Sequence, residues 1–210
     1  MAMDMGTGKS LTALALLLNA APKRALIVAP AAVVAVWPGE FAKHMTPEAL
    51  SRIILLPLPG GQKGKSLAFR AKQVQKLMEF NDDRYMRVLV VNYEAMWQGP
   101  MGQALKDFAP EYIIWDESHR IKTPSAQASR FAWQLSQGAK RRLALTGTPM
   151  PHSPLDVFSQ FRCIDPGVFG TSWTMFRAQY AIMDTMFKSK VLRFQNEDDL
   201  NEKFYSTAVS

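Results

Sequence analysis

Short apolar runs alternate with stretches whose apolar positions fall three and four apart, a pattern of buried strands between amphipathic helices. Leu11, Leu14, Ala15 and Leu18 share a helical face and predict a first helix that ends before Pro22. Ala25 to Ala29, read ALIVA, is the first buried strand. A helix around Val33 to Lys43 follows, with Pro38 and Gly39 marking a break into two short turns. Arg52 to Leu56 is the next strand, and Pro57 to Lys65, rich in Pro, Gly and Lys, is loop. In the helix after it Leu67, Ala71, Val74 and Met78 share a face, and Arg70, Lys72 and Lys76 point elsewhere. Arg87 to Val91 is a strand ending in Asn92 and Tyr93, Gly102 to Phe108 a short helix, and Tyr112 to Asp116 a strand whose last residue is acidic. Thr123 caps the next helix, with Pro124 at its first position, and that helix runs through Phe131 and Leu135. Arg142 to Thr146 is the last clear strand.

Strand and helix alternating at this spacing predict an α/β fold with a mostly parallel sheet covered on both faces and ligands at the carboxyl ends of the strands. Beyond Thr148 the pattern predicts helices only. Ser153 with Asp156 resembles a capping box ahead of the stripe Leu155, Phe158 and Phe161. Asp165 to Gly170 is a turn, Trp173, Phe176, Tyr180 and Met183 mark another helix, and Asn196 with Asp199 begins a last one carrying Leu200 and Phe204. The expected division is therefore an α/β domain over 1–150 and a helical extension over 151–210.

Charge adds a possible partner. Lys plus Arg number 25 against 18 Asp plus Glu, a formal net charge of +7 that suits a polyanion. The excess gathers at Lys63 to Lys76 and Lys140 to Arg142, as a patch or as an ordinary solvated face. The single Cys163 excludes an internal disulfide framework, and three scattered histidines give no zinc pattern. The longest apolar run, Leu11 to Leu18, is far below spanning length, so the expectation is a soluble cytoplasmic protein with no membrane partner.

Two motifs carry the chemistry. In MGTGKS, Met5 to Ser10, glycines permit a tight loop whose N–H groups converge on phosphate oxygens, and the helix starting near Lys9 adds its positive end. Met5, Gly6, Thr7, Gly8, Lys9 and Ser10 are the candidate phosphate cradle, with Lys9 on the β and γ phosphates and Ser10 on Mg2+. Met3 stands where the full phosphate-loop pattern has glycine, so a plain glycine turn is the rival reading. In WDESH, Trp115 to His119, Asp116 would hold Mg2+, and Glu117 would orient and deprotonate the attacking water. Thr146, Gly147 and Thr148 end another strand, where small hydroxyls sense such a cluster or form a simple polar turn. His119 links the acids to that turn or is a satisfied histidine beside it. Trp37 stacks on a nucleotide or packs beside Phe41.

DMGTGKS, LIVAPAAVVAVWPGEFAKH, VVNYEAM, IIWDESHRIKTPSAQASR, LALTGTPMPHSPLDVFSQF and IDPGVFG, in that order, resemble successive motifs of the first RecA-like domain of superfamily 2 helicase-like ATPases, above all the Swi/Snf-related branch. In that branch the loop commonly reads DEMGLGKT, which fits Asp4 and the missing early glycine, and DESH keeps both acids and the histidine of DEAH or DEGH. The resemblance implies a three-layer RecA-like fold, ATP and Mg2+ as cofactors, and double-stranded DNA as partner, tracked without strand separation. It places Pro30, Ala31, Asn92, Tyr93, Arg120 and Lys122 against DNA, and has His119 and Thr146 to Thr148 couple hydrolysis to DNA grip. Asn92 departs from the threonine common at its position. The other functions open at this point are a strand-separating helicase domain and a nucleotide-gated regulatory module without motor activity.

The resemblance also implies a second RecA-like domain supplying arginines, a monomeric state, and a bacterial or phage source. It further implies a strand leading into the phosphate loop, placed centrally between the strands ending at Asp116 and Thr146. Without that strand those two are expected to be unpaired or wrongly paired, and the 210 residues alone are expected to bind ATP weakly and hardly turn it over.

Overall fold

The computed structural model describes residues 8–60, 66–80, 82–184, 186 and 190–207. Its elements are α1 (Lys9–Ala20), β1 (Arg24–Ala29), α2 (Trp37–His44), α3 (Pro47–Leu50), β2 (Ile53–Leu58), α4 (Leu67–Glu79), β3 (Met86–Asn92), α5 (Tyr93–Met96), α6 (Gly99–Phe108), β4 (Tyr112–Asp116), α7 (Gln127–Gly138), β5 (Arg141–Leu145), α8 (Val157–Ile164), α9 (Pro166–Phe169), α10 (Trp173–Tyr180), β6 (Ala181–Met183), β7 (Val191–Phe194) and α11 (Glu197–Thr207). Single 3-10 turns at Ser118–Ile121 and Pro154–Asp156 precede α7 and α8.

The first five strands form one sheet, ordered β2-β3-β1-β4-β5, with every pairing parallel. β1 lies at its centre and reads apolar without interruption because both its faces are covered. Leu26 and Val28 join Leu89, Val91, Ile113 and Trp115 on the face under α4, α6 and α7. Ala25, Ile27 and Ala29 join Val88, Val90 and Ile114 on the opposite face, under Leu14 and Leu17 of α1 and Trp37 and Phe41 of α2. This is the three-layer RecA-like arrangement expected of the sequence.

The expected gap between the strands ending at Asp116 and Thr146 is corrected by the pairing. β4 lies directly against β5, with Tyr112 opposite Arg141 and Asp116 opposite Leu145, and Glu111 O accepts from the amides of Lys140 and Arg141 as the register begins. A parallel pair in register releases its two chains side by side, so the acid turn and the threonine turn emerge as neighbours.

Other boundaries move for local reasons. Pro57 lies inside β2 instead of opening a loop, because an edge strand tolerates a residue that lacks an N–H. Pro38 sits in the first turn of α2, where a missing N–H is harmless, so residues 31–36 are turns and the helix itself is unbroken. Thr123 does not cap α7: it accepts the Ala126 amide in a turn, and the helix starts at Gln127. The turn at Asp165 to Gly170 contains the one-turn helix α9, capped by the Asp165 carboxylate accepting from Gly167 N at 2.9 Å.

The stretch after Thr148 is not helical throughout. α10 ends at Tyr180, and Met183 belongs to β6, which pairs antiparallel with β7. The capping box is present, Asp156 accepting from Ser153 N at 3.3 Å and His152 N at 2.9 Å. Leu155, Phe158, Phe161, Phe176, Tyr180 and Phe204 meet in an aromatic cluster. α8 faces two ways, placing Cys163 in the core under the sheet and Phe158 and Phe161 in that cluster.

Candidate nucleotide site at the strand ends

At the start of α1, Gly8 takes a left-handed conformation (φ 85°) that side-chain-bearing residues rarely adopt, and its carbonyl accepts the Thr12 amide at 3.0 Å. Lys9 and Ser10 follow in the first turn, partly exposed. They line a cleft of about 280 Å³ shared with Glu40, Lys43 and His44 of α2. Met5, Gly6 and Thr7 lie outside the described residues.

The acid pair leaves β4 in a bend. Glu117 has φ 52°, a left-handed position unusual for a residue with a side chain. Asp116 is gripped on two sides. Trp37 Nε1 donates to Asp116 Oδ2 at 3.1 Å, and the Tyr93 hydroxyl donates to the Asp116 carbonyl at 2.9 Å. Burial pushes the Asp116 carboxyl up to about 6; the Glu117 charge adds to that, and the Trp37 N–H and the Lys9 ammonium oppose it. A buried carboxylate with a second acid beside it is a pairing whose repulsion a nearby cation would relieve, although among the described residues no three acids, histidines or cysteines gather as a metal-holding group.

His119 ties the acids to the neighbouring turn. Its Nδ1 lies 3.3 Å from Glu117 Oε2, 3.2 Å from Thr146 Oγ1 and 3.5 Å from Thr148 Oγ1. Thr146 Oγ1 in turn accepts the Thr148 amide at 3.0 Å, which folds the turn around Gly147. Glu117, His119, Thr146 and Thr148 therefore form one connected group.

The residues expected to face DNA divide. Ala31 and Arg120 are exposed, and Arg120 pairs with Glu94 at 3.2 Å. Lys122 is partly exposed and lies 3.7 Å from Asp156. The side chains of Pro30, Asn92 and Tyr93 are buried, so any contact these turns make with DNA would fall to their backbone or neighbours. Pro30 closes a turn through its carbonyl, which accepts from Val33 N at 2.8 Å. Asn92 is the last residue of β3, and its amide is taken up by Arg70 Nη2 at 2.8 Å and Glu94 Oε2 at 2.8 Å.

Four supporting residues escape a reading by motif: Arg70, Trp37 as donor to Asp116, Ser118 and Gln160. The last carries a legible signal, a polar residue between Phe158 and Phe161 on an otherwise apolar face. Of the basic stretches, Lys140 pairs with Glu111 at 3.4 Å, Arg142 donates to Ser136 O at 3.2 Å, and Lys63 and Lys65 lie outside the described residues. Among the described residues no helix is long and apolar enough to cross a membrane.

The sheet order and the residues at its strand ends define a RecA-like α/β domain of the helicase-like ATPase class. A family model described as the SNF2-related domain matches residues 1–206, and the chain belongs to that family. It is 27% identical over 209 residues to a DNA repair and recombination protein RAD54-like of Drosophila erecta, covering 94% of this chain and 24% of that protein. It is 30% identical over 189 residues to the DNA repair and recombination protein RAD54 of Oryza sativa subsp. japonica, covering 86% and 18%. The chain thus spans about a quarter or less of the curated relatives it matches. In fold it is similar to the Sulfolobus solfataricus SWI2/SNF2 ATPase core in complex with dsDNA (TM-score 0.63, 24% identity, 85% of this chain and 33% of that one). It is also similar to the Pyrococcus furiosus Hef helicase domain (TM-score 0.53, 18% identity, 87% and 36%).

Proposed function

We propose that this chain is the nucleotide-binding part of a DNA-dependent ATPase whose intact form moves along double-stranded DNA. The observation that carries the reading is the connected group Glu117, His119, Thr146 and Thr148 beside Asp116, at the strand ends that Lys9 approaches closely enough for its charge to act on Asp116. Mg2+, when bound, neutralises phosphate charge. Ser10 and Asp116 would hold it, Lys9 would draw the terminal phosphates, and the Glu117 carboxylate would orient a water and take its proton. His119, between Glu117 and the two threonine hydroxyls, relays the position of that carboxylate to the turn at 146–148.

DNA as partner is supported by the relatives, whose names assign them to DNA repair and recombination, and by the dsDNA bound to the Sulfolobus core. Exposed Ala31 and Arg120 would meet the phosphate backbone, which positions a protein without reading bases. A second RecA-like domain would complete the cleft. The eukaryotic relatives lend no support to a bacterial or phage source.

The test is Glu117→Gln in the intact protein. ATP binding should persist and turnover should fall by about a thousandfold or more, the scale lost with a group that acts in the transition state. Retained turnover overturns the role of Glu117. Displacement of a triplex strand without separation of a duplex distinguishes translocation from unwinding.

A further inference from the structure

Beneath the acid turn lies a buried polar contact that the nucleotide reading does not use. Ser118 is fully buried, and its hydroxyl donates to Gln160 Oε1 at 2.7 Å. Gln160 on α8 is 4% exposed, and its Nε2 donates to Pro149 O at 2.7 Å and to Asp156 O at 2.9 Å. One amide thus holds the residue after Glu117, the residue after Thr148 and the start of α8. Asp156 extends the network, since its carboxylate accepts from the amides of His152 and Ser153 and lies 3.7 Å from Lys122 Nζ.

We propose that the Ser118–Gln160 pair is the positioning contact that carries movement of the nucleotide site into the C-terminal segment. The inference rests on the nucleotide reading above. Both amide donors and the acceptor of Gln160 are engaged, so the acid turn cannot shift relative to Pro149 without leaving a buried polar group unpaired. The two turns therefore move together and take α8 with them. A cavity of about 40 Å³ beside the pair, bounded also by Thr146, Phe204 and Thr207, leaves room for a small displacement. α8 delivers it to the aromatic cluster through Phe158 and Phe161, while Cys163 keeps the same helix seated under the sheet.

The test compares Ser118→Ala, Gln160→Leu and the double variant in the intact protein, by thermal unfolding and by hydrogen exchange over residues 157–164 with and without a non-hydrolysable ATP analogue and Mg2+. Ser118→Ala leaves the Gln160 side-chain oxygen without its donor, Gln160→Leu takes the partner from the Ser118 hydroxyl and from the Pro149 and Asp156 carbonyls, and both should unfold at a lower temperature, Gln160→Leu the lower. The double variant also removes the stranded Ser118 hydroxyl and should regain that part of the Gln160→Leu loss, while the Pro149 and Asp156 carbonyls stay without the amide. Nucleotide should change protection of 157–164 in the wild type and not in the refolded double variant, and stimulation of ATPase by duplex DNA should fall by about fivefold or more. A double variant that keeps the nucleotide-dependent change overturns the proposal and reduces the pair to packing. A wild type that binds the analogue without hydrolysing ATP defeats the function proposed above, and the exchange readout still decides the role of the pair. A wild type that does not bind the analogue overturns both.

Discussion

The sheet region and the segment after Thr148 bury their apolar faces with different materials. Under the sheet the strands contribute Leu26, Ile27, Val28, Leu89, Val90 and Ile114, small aliphatic side chains that let parallel strands stack between two helical layers. The later segment closes on rings: Phe176 lies 4.8 Å from Tyr180, 5.0 Å from Phe158 and 5.4 Å from Phe169 between centroids. The difference separates two jobs. Parallel strands in register bring their ends together and so concentrate chemistry at one edge, where Asp116 and Thr146 emerge as neighbours. An aromatic cluster between short helices and a hairpin has no such convergent edge, and supplies a body that α8 connects to the site.

The largest test of that separation is Phe176→Ala, which removes the ring at the middle of the cluster and should destabilise by about 3–5 kcal/mol. Hydrogen exchange should show protection falling over α8 to α11 first, with β1, β3 and β4 retained. Uniform loss across both regions would break the comparison and make the molecule a single cooperative unit.

Arg70 tests the sheet side. It is 4% exposed, and its Nη2 donates to Leu58 O at 2.6 Å and Asn92 Oδ1 at 2.8 Å, tying the end of β2 to the end of β3. Arg70→Leu leaves both acceptors unpaired and should destabilise by about 2–3 kcal/mol in denaturant unfolding. A change near zero would mean that the strand ends are held by the ladder alone.

Arg70 also shows where the sequence stops being legible. Apolar spacing correctly gave the helix and the face carrying Ala71 and Val74, but a charged residue is assigned to solvent unless its partners are known. Those partners, Leu58 O and Asn92, lie on two other strands. The same limit hid the indole of Trp37, whose partner Asp116 is distant in sequence, and it hid the burial of Asn92 and Tyr93, because a strand-end motif says nothing of what packs over it. Motif order was enough for the fold class, for the acids and for the threonine turn. Strand order was not: β4 and β5 read identically whether adjacent or separated by another strand, and pairing is decided by long-range packing that no local pattern records. Pro57, too, was readable only once β2 was known to be an edge.

Asp116 offers a test with a sign. Its carboxyl is raised from 3.8 to about 6, chiefly by burial, so between those values the folded state holds a proton that the unfolded chain has released. In Mg2+-free buffer stability should therefore fall as pH rises from about 4 to 6, then level off. A shift of this size corresponds to at most about 3 kcal/mol at full burial, and the partly exposed carboxylate brings the expectation to about 2 kcal/mol. Asp116→Asn keeps the acceptor for Trp37 and has no charge to bury. It should raise stability at pH 8, leave it nearly unchanged at pH 4, and flatten the profile between. A decline that persists in Asp116→Asn would place the titrating group elsewhere.

Trp37→Phe is the smallest and most specific perturbation. The phenyl ring retains part of the packing against Phe41, whose centroid lies 6.3 Å from that of Trp37, and the N–H to Asp116 Oδ2 is lost with the remainder of the indole. That bond favours the ionised carboxylate, so its removal moves the Asp116 carboxyl still higher and extends the falling limb of the stability profile toward neutral pH. On top of a pH-independent cost of the smaller ring, the hydrogen bond should account for about 1 kcal/mol at pH 8, where the carboxylate is charged, and less at pH 4, where a neutral acid accepts a weaker hydrogen bond. Equal losses at the two pH values would assign Trp37 to the core alone. A loss larger at high pH would show that the helix on the far face of the sheet, although it carries no motif acid of its own, sets the charge state of Asp116.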